Sequence, residues 1–257
     1  MPSSPSPFDV PDRLDGVVAV VTGASRGLGA AIARNLGARG ASLGLCARTR
    51  PAIPEGVDDD RVLSAAVDVA NAVAVEAFAS AVEDRFGPID LWVNNAGLLD
   101  PIAPARDADP EQTRETLLVN VAGVMAGSAA FARRARAWPE GRRVLVNVSS
   151  GAATNVYPGW STYGPSKAAV DHFSRHVAVE EPGLVVHAVA PGVVDTDMQA
   201  QIRTSDESSF PAIARFHELH ETGSWNDPDW ITDHLVGLLV GTWTPDDVVV
   251  RVPDVPR

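Results

Sequence analysis

Residues 17 to 29 read Val-Val-Ala-Val-Val-Thr-Gly-Ala-Ser-Arg-Gly-Leu-Gly. The apolar run Val17–Val21 predicts a buried strand, and the alanine-rich stretch Ala30–Arg39 predicts a helix. The glycines between them follow a Gly-x-x-x-Gly-x-Gly spacing, which allows close backbone approach and tight packing of helix on strand. A strand, a glycine-rich turn and a helix N-terminus together favour a pyrophosphate-binding site. A glycine-rich turn without a ligand is the alternative.

Apolar strand-like runs alternate with helical stretches along the rest of the chain. The strands are predicted at Val17–Val21, Ser42–Ala47, Val62–Val67, Leu91–Asn94, Arg143–Val148, Val185–Ala190 and Val248–Val252. The helices are predicted near Leu28–Arg39, Ala72–Arg85, Pro110–Arg136, Ser161–Glu181 and Pro228–Val240. This alternation predicts an α/β fold, a Rossmann-like doubly wound parallel sheet of about seven strands with helices on both faces. The site is then expected at the carboxyl ends of the strands.

Two further stretches bear on the organisation of the chain. The opening residues, Met1 to Pro7, have neither the basic start nor the apolar core of a signal peptide. Residues 1–12 are therefore predicted to be a disordered tail, and residues 13–257 a single domain. Pro51, Pro54 and Gly56 interrupt the segment between the second and third strands, and they predict a loop there.

Composition and charge narrow the class of protein. Of 257 residues 45% are hydrophobic, yet no apolar run nears the roughly 18 residues that cross a bilayer. A net charge of −12 disfavours nucleic acid or an anionic membrane as partner. The single cysteine, Cys46, suits a reducing compartment and so a cytoplasmic location. Because it falls within an apolar strand, it is expected to be a buried, unreactive thiol.

The run Tyr163-Gly164-Pro165-Ser166-Lys167 carries the chemistry. A phenol and an ammonium four residues apart lie on one face of a helix. The ammonium is expected to lower the pKa of the phenol, which then exchanges a proton with a carbonyl or an alcohol near neutral pH. Ser150 stands thirteen residues before the tyrosine. Ser149 adjoins it, but the spacing and the alternation of side chains along a strand favour Ser150.

With these motifs the chain resembles the short-chain dehydrogenase/reductase family from about Leu14 to Met198. Three stretches look most like its sepiapterin reductase and benzil reductase branch, namely Gly159-Trp160, Glu180-Glu181-Pro182 and Ala190 to Met198. The resemblance implies a single NAD(P)-binding domain and hydride transfer between a nicotinamide cofactor and a small carbonyl or alcohol. The matching elements are Thr22 to Gly29, Asp68-Val69, Asn94-Asn95-Ala96-Gly97, Asn120, Ser150, Tyr163, Lys167 and Pro191-Gly192 with Thr196.

The resemblance also implies which residues act. Ser150 and Tyr163 would bind the carbonyl oxygen, Lys167 would reach the nicotinamide ribose, and Asn120 would hold a water that links the lysine to solvent. A structural kink is the rival explanation of a mid-helix asparagine. The implied cofactor-binding residues are Gly23, Ser25, Arg26, Gly27, Leu28, Gly29, Arg48, Asp68, Val69, Asn95, Ala96, Gly97, Tyr163, Lys167, Pro191, Gly192, Val194 and Thr196.

The second strand ends in Cys46-Ala47-Arg48-Thr49-Arg50, with no acid for a ribose 2′-hydroxyl. Arg26 and Arg48, two planar cations with neutral neighbours, suit a 2′-phosphate, so NADP(H) is favoured over NAD(H). Merely solvated arginines are the alternative. Asp58, Asp59 and Asp60 would weaken such a pocket if they folded back towards it.

A substrate lid is expected over about residues 198–230. The substrate pocket would include Ser150, Trp160, Tyr163 and Met198, with Phe210, Phe216, Trp225 and Trp230 as further apolar candidates. The C-terminal end lacks the glycine-rich ending common in the family. Sepiapterin reductases hold the pterin with an acid in that region, but Asp246, Asp247 and Asp254 lie in no matched stretch.

Two histidine pairs raise the question of a metal. His217 and His220 are three apart, not four as in His-Glu-x-x-His, so a polar helix face is favoured and no metal is expected. His172 and His176 have a spacing compatible with metal, but in the family this helix packs against a partner subunit. A homodimer or homotetramer is therefore expected.

Three functions remain open on the sequence. The favoured one is NADPH-dependent reduction of a small ketone, diketone or aldehyde. The second is an NAD(P)-dependent alcohol dehydrogenase that works oxidatively, and the same groups would catalyse it. The third is a regulatory protein that binds cofactor without catalysis, which need not retain Asn120, Ser150, Tyr163 and Lys167.

Overall fold

Seven strands form one parallel sheet in the order β3-β2-β1-β4-β5-β6-β7. The computed structural model describes residues 9–255, so the first eight residues of the predicted tail lie outside the described part, and residues 9 and 10 have no regular secondary structure. The strands are β1 Val18–Thr22, β2 Ser42–Ala47, β3 Val62–Ala66, β4 Leu91–Asn94, β5 Val144–Val148, β6 Val185–Ala190 and β7 Val249–Arg251. The predicted seven-stranded, doubly wound α/β fold is confirmed.

Helices cover both faces of the sheet. They are α1 Gly27–Ala38, α2 Ala72–Phe86, α3 Pro110–Leu117, α4 Val124–Ala137, α5 Tyr163–Glu180, α6 Asp197–Arg203, α7 Ile213–Thr222 and α8 Pro228–Val240. The first and last pack together on one face, while α2, α4 and α5 cover the other. The alternation of side chains in β1 explains both cores, since Ala19 and Val21 face one layer and Val18 and Val20 the other.

The strand order places the site. The chain runs outwards from β1 through β2 to β3, and then returns to the other side of β1 to add β4 through β7. Adjacent crossovers therefore diverge between β1 and β4, and a crevice opens at the carboxyl ends of these strands. The glycine turn after β1 and the segment after β4 border this crevice.

The structure differs from the predicted helices in two places. It adds α6 and α7 within the segment predicted as a lid. The helix predicted over Pro110–Arg136 is divided into α3 and α4 by a π-helical segment, Leu118–Gly123. The loop predicted around Pro51 and Pro54 is confirmed, since a single 3₁₀ turn, Asp59–Arg61, precedes β3.

The stretch Pro110–Ala137 passes the length and hydropathy test for a membrane span, with a mean hydropathy of 1.4 over its most apolar window. However, 56% of that window is buried within the protein. Phe131 and Ala130 belong to the core under the sheet. A core helix explains these properties without a membrane.

Candidate active site

One cavity of about 950 Å³ opens at the carboxyl ends of the strands. It is lined by nearly all of the side chains that the sequence predicts for cofactor, catalysis and substrate. These are Gly23, Ser25, Arg26, Gly27, Leu28, Arg48, Asp68, Val69, Asn95, Ala96, Gly97, Ser150, Trp160, Tyr163, Lys167, Pro191, Gly192, Val194, Thr196 and Met198. Of the predicted catalytic and cofactor-binding residues, Gly29 and Asn120 alone lie outside its lining.

The glycine turn is closely packed against the segment after β4. Gly23 has φ +67°, and a Cβ atom there would lie 2.7 Å from the Cα of Ala96. A Cβ atom at Gly29 would overlap the side chain of Asn95 and the carbonyl of Gly23. Gly29 is thus required for packing, which explains why it does not line the cavity.

Asn95 holds the turn in place, because its Nδ2 donates to the carbonyl oxygens of Thr22 at 3.0 Å and Gly23 at 3.2 Å. The first turn of α1, which begins at Gly27, contains no acidic side chain. Its free N–H groups and the positive end of the helix dipole therefore face the cavity uncompensated. This cradle of free N–H groups at the N-terminus of α1 fits the pyrophosphate of a dinucleotide.

The two arginines predicted for a 2′-phosphate are not surrounded by neutral groups. Arg26 Nη1 lies 3.2 Å from Asp197 Oδ2, and Arg48 Nη1 lies 2.8 Å from Glu115 Oε1. The expectation of neutral neighbours is therefore wrong, because both acids come from segments distant in sequence. All four side chains are more than half exposed, so each pair is weak and can be exchanged for another anion. The three aspartates at 58–60 do not line the cavity.

Ser150, Tyr163 and Lys167 meet at the other end of the cavity. Ser150 caps a 3₁₀ turn, since its Oγ accepts from the N–H of Ala152 at 3.2 Å. Tyr163 begins α5 and is 7% exposed. Lys167, one turn later, donates from Nζ to the carbonyl oxygen of Val148 at 2.8 Å and lies 5.8 Å from the centroid of the Tyr163 ring.

Burial changes the acidity of this pair. It raises the pKa of Tyr163, and a smaller opposite contribution comes from a hydrogen bond with Ser150. Burial also lowers the pKa of Lys167 to about 8, against a raising effect of Asp171. The expected lowering of the phenol pKa is therefore wrong for the chain without cofactor. Sequence spacing shows that the two groups are neighbours, but it does not show that both have lost their hydration.

A sequence profile of the short chain dehydrogenases matches residues 17–207, a range that includes the glycine turn, Ser150, Tyr163 and Lys167. The chain belongs to the short chain dehydrogenase family. Members of this family are oxidoreductases that bind a nicotinamide cofactor, and the cradle at the N-terminus of α1 fits its pyrophosphate.

Curated relatives place this short chain dehydrogenase in a benzil reductase-like branch. The benzil reductase ((S)-benzoin forming) of Bacillus subtilis (strain 168) is 36% identical over 229 residues, 86% of this chain and 92% of that protein. The benzil reductase of Saccharomyces cerevisiae (strain ATCC 204508 / S288c) is 33% identical over 232 residues, which are 83% of this chain and 86% of that protein. The structure of levodione reductase superposes with a TM-score of 0.80 at 27% identity, over 93% of this chain and 97% of that one. A likeness to sepiapterin reductases stays a prediction.

Asn120 lies within the π-helical segment of this dehydrogenase and is fully buried. Its Oδ1 accepts from the N–H of Leu98 at 2.8 Å, while its Nδ2 donates to the carbonyl of Leu98 at 2.8 Å and to Ser166 Oγ at 3.0 Å. The side chain therefore ties the segment after β4 to α5. This explains the distortion of the helix, and the role of Asn120 in holding a water stays a prediction.

Ser149 and Ser150 have different partners. Ser149 donates a short hydrogen bond to Asp171 on α5. Both serines line the cavity, but the bond to Asp171 occupies the Ser149 hydroxyl. Ser150 is left as the serine available to a ligand, in agreement with the thirteen-residue spacing.

An aromatic wall closes the substrate end. Trp160 stacks on Phe210 with a centroid distance of 4.8 Å and contacts Tyr163 at 5.4 Å and Phe216 at 5.6 Å. Phe210 is fully buried behind Trp160 and does not line the cavity. Met198 from α6 completes the wall.

Two of the aromatic candidates do not belong to this wall. Trp230 lies in the core between α1 and α8, where its indole N–H donates to the carbonyl of Pro253 at 2.9 Å. Trp225 contacts His220 instead, at a centroid distance of 5.5 Å. Neither tryptophan lines the cavity, so the pocket role is wrong for both, and Trp230 is plain core.

Four residues that the sequence prediction omits bear directly on the geometry of the site. Tyr157 and Arg215 line the substrate end and are joined by a 3.0 Å hydrogen bond from Arg215 Nη1 to the phenol oxygen. Arg251 lines the cavity from the end of β7, and the rule that sites lie at the carboxyl ends of strands would have found it.

The fourth missing residue is Asn226, which no sequence signal marks. Its side chain donates to the carbonyl of Pro191 at 2.9 Å and accepts from the N–H of Val255 at 3.3 Å. Its own N–H donates to the carbonyl of Val193 at 2.7 Å. Asn226 therefore fixes the Pro191–Val193 loop against the C-terminal segment.

Neither histidine pair assembles a metal site among residues 9–255, where no three His, Cys, Asp or Glu side chains converge. His172 and His176 are exposed on α5, with their Nε2 atoms 3.3 Å apart.

Cys46 is 1% exposed, and burial raises its pKa to about 12, as expected for an unreactive thiol.

Proposed function

We propose that this short chain dehydrogenase reduces a small carbonyl compound, a ketone, diketone or aldehyde, to the alcohol with NADPH. The observation that carries the proposal is a buried phenol beside a buried ammonium, at the aromatic end of a cavity whose other end fits a pyrophosphate. The benzil reductase relatives support the same direction.

The residues have complementary parts in this reaction. A bound reduced nicotinamide supplies the hydride. Ser150 and Tyr163 donate hydrogen bonds to the carbonyl oxygen, and Tyr163 passes its proton to that oxygen as negative charge develops on it. Each such donor contributes on the order of 3 kcal/mol when it is held in position in advance. Lys167, still charged at neutral pH, stabilises the phenolate that remains.

Reduction requires Tyr163 as a protonated phenol, and burial, which raises its pKa, favours that form. An enzyme working oxidatively needs the phenolate as a base at the start of the reaction. The oxidative dehydrogenase stays the second candidate, because the same residues serve both directions. A regulatory protein without catalysis is disfavoured by the retention of Asn120, Ser150, Tyr163 and Lys167.

Tyr163→Phe removes the proton donor and keeps the ring. We expect kcat for benzil reduction to fall at least about a hundredfold, while NADPH binding stays close to that of the wild type. Activity is measured by the loss of NADPH absorbance, and binding by tryptophan-to-nicotinamide energy transfer. Near-normal turnover by the variant would refute the mechanism.

The preference for NADP(H) rests on Arg26 and Arg48, whose exposed carboxylate partners can be displaced by a 2′-phosphate. We expect energy-transfer titrations to show tighter binding of NADPH than of NADH. Arg48→Gln should weaken NADPH binding about tenfold and leave NADH binding unaltered. Arg50→Gln is the matched control, because Arg50 carries the same charge two residues away and does not line the cavity. Equal binding of both cofactors by the wild type would contradict this preference.

A further inference from the structure

Arg251 stands where a substrate would extend beyond the reacting carbonyl. It ends β7, beside Ala190 of β6. Its Nη1 lies 3.8 Å from the position of a Cβ atom on Gly151, and its Nη2 lies 3.8 Å from that position on Gly192. Gly151 directly follows Ser150, and Gly192 lies in the loop after β6. The guanidinium therefore lies between the two backbone segments that border the predicted reaction site.

A second cation belongs to the same end of the cavity. Arg215, on α7, donates to the phenol oxygen of Tyr157 and forms no ion pair with any residue from 9 to 255. Of the three carboxylates that line the cavity, Asp68 accepts from the N–H of Ala70 at 3.0 Å. Asp100 accepts from Gln201 at 2.7 Å, and Asp197 pairs with Arg26. The substrate end therefore presents two guanidiniums, those of Arg215 and Arg251, within a protein whose net charge is −12.

The partner of Arg251 is easily replaced. Arg251 Nη2 lies 3.0 Å from Asp254 Oδ1, three residues later, and the two side chains are 55% and 78% exposed. A pair this exposed contributes little stability. A carboxylate bound deeper in the cavity, beside the aromatic wall, is less hydrated and attracts the guanidinium more strongly.

We propose that the substrate is an oxo acid, whose carboxylate is bound by Arg251 while its carbonyl lies at Ser150 and Tyr163. This inference rests on the proposed function and names the class of substrate. In the reaction the carbonyl carbon accepts a hydride from reduced nicotinamide and its oxygen accepts the proton of Tyr163. The product is the hydroxy acid, and the carboxylate is unchanged. Arg251 is a specificity-determining residue, and Arg215 attracts the anion to the mouth of the cavity.

The test compares acids with their uncharged amides. The probes are 2-oxo-2-phenylacetate and 4-oxo-4-phenylbutanoate, each beside its amide, which present the carboxylate at two distances from the same aromatic carbonyl. We expect the wild type to prefer at least one acid to its amide in kcat/KM. Arg251→Gln should lower this acid-to-amide ratio about tenfold, mainly through KM of the acid. Arg136→Gln is the matched control, because Arg136 is an exposed, ion-paired arginine outside the cavity.

A binding measurement complements the kinetics. With NADP⁺ present, the hydroxy acid product should quench tryptophan fluorescence at lower concentration than its amide, and Arg251→Gln should remove the difference. If the wild type prefers neither acid, or if Arg251→Gln affects acid and amide equally, the inference is overturned. Reduction of benzil by the wild type distinguishes a failure of the oxo acid proposal from a failure of the proposed function. If benzil is reduced without preference for the acids, the substrate class alone is wrong, whereas if no carbonyl compound is reduced, the proposed function itself fails.

Discussion

Lys167 is the only lysine in the chain, beside twenty arginines. The other cations of the site are guanidiniums, which bind planar anions by two parallel hydrogen bonds. At this position the chain has a compact ammonium that fits under a carbonyl oxygen and beside a phenol. Because it is also buried, its pKa falls to about 8, so it is charged at neutral pH but close to losing its proton.

The shift makes stability depend on pH. Burial lowers the pKa of Lys167 from 10.5 in the unfolded chain to about 8, so the unfolded state binds more protons between these values. The folded state is penalised by the charged lysine below pH 8, and the penalty is relieved as the pH rises towards 10.5. For the cofactor-free protein this relief amounts to about 2 kcal/mol between pH 7 and pH 9.5.

The single lysine permits a direct measurement. With ¹³C-labelled lysine, NMR should show one side-chain signal from Lys167, and we expect its chemical shift to titrate with a midpoint near pH 8 in the cofactor-free protein. The same signal in urea is the control and should titrate near 10.5. A midpoint of about 10 or above in the folded protein would mean that burial does not control this ammonium.

At the scale of elements, the π-helical segment Leu118–Gly123 joins the two sides of the site. The side chain of Asn120 accepts a hydrogen bond from the N–H of Leu98 and donates one to the carbonyl of Leu98. It also donates to the hydroxyl of Ser166 on α5. A mid-helix asparagine is unfavourable by propensity, so these three hydrogen bonds must stabilise the fold enough to offset it.

Asn120→Ala leaves the part-buried N–H and carbonyl of Leu98 without these partners. Each such group costs about 1–3 kcal/mol, so we expect the free energy of unfolding to fall by about 3 kcal/mol. Asn71→Ala is the matched control, because Asn71 is an exposed cap of α2 with one hydrogen bond, and its loss costs about 1 kcal/mol. Urea unfolding of both variants gives the comparison. Equal losses in the two variants would show that Asn120 does not brace the site.

At the scale of the whole molecule, the segment that bears α6 and α7 rests on the sheet domain next to the aromatic wall. Gly159 has φ +91°, and a Cβ atom there would overlap the carbonyl oxygen of Ser209, between these two helices. Phe210 follows and stacks on Trp160. The predicted lid is therefore positioned by a glycine that no local pattern marks as a contact point.

Gly159→Ala should displace this lid segment without reaching the cofactor end of the cavity. We expect KM for benzil to rise about tenfold or more, with little change in NADPH binding. Gly56→Ala is the control, because Gly56 also has a positive φ but has open space around its missing Cβ. If KM rises equally in both variants, backbone strain causes the effect, and displacement of the lid does not.

The oligomeric state of the protein stays a prediction. His172 and His176 are exposed along one side of α5, where Val179 is 82% exposed.

The sequence by itself determined the sheet, the glycine turn and the pairing of Tyr163 with Lys167. Each follows from short-range spacing, since apolar runs, a turn after Val21 and the interval from Tyr163 to Lys167 fix local geometry. Only the tertiary structure decided the acidity of Tyr163, because burial depends on every element that packs around it. It also decided that Arg48 meets Glu115, and that Arg251 reaches the cavity. These contacts join residues far apart in the chain, and they exist only after the crossovers have brought the strand ends together.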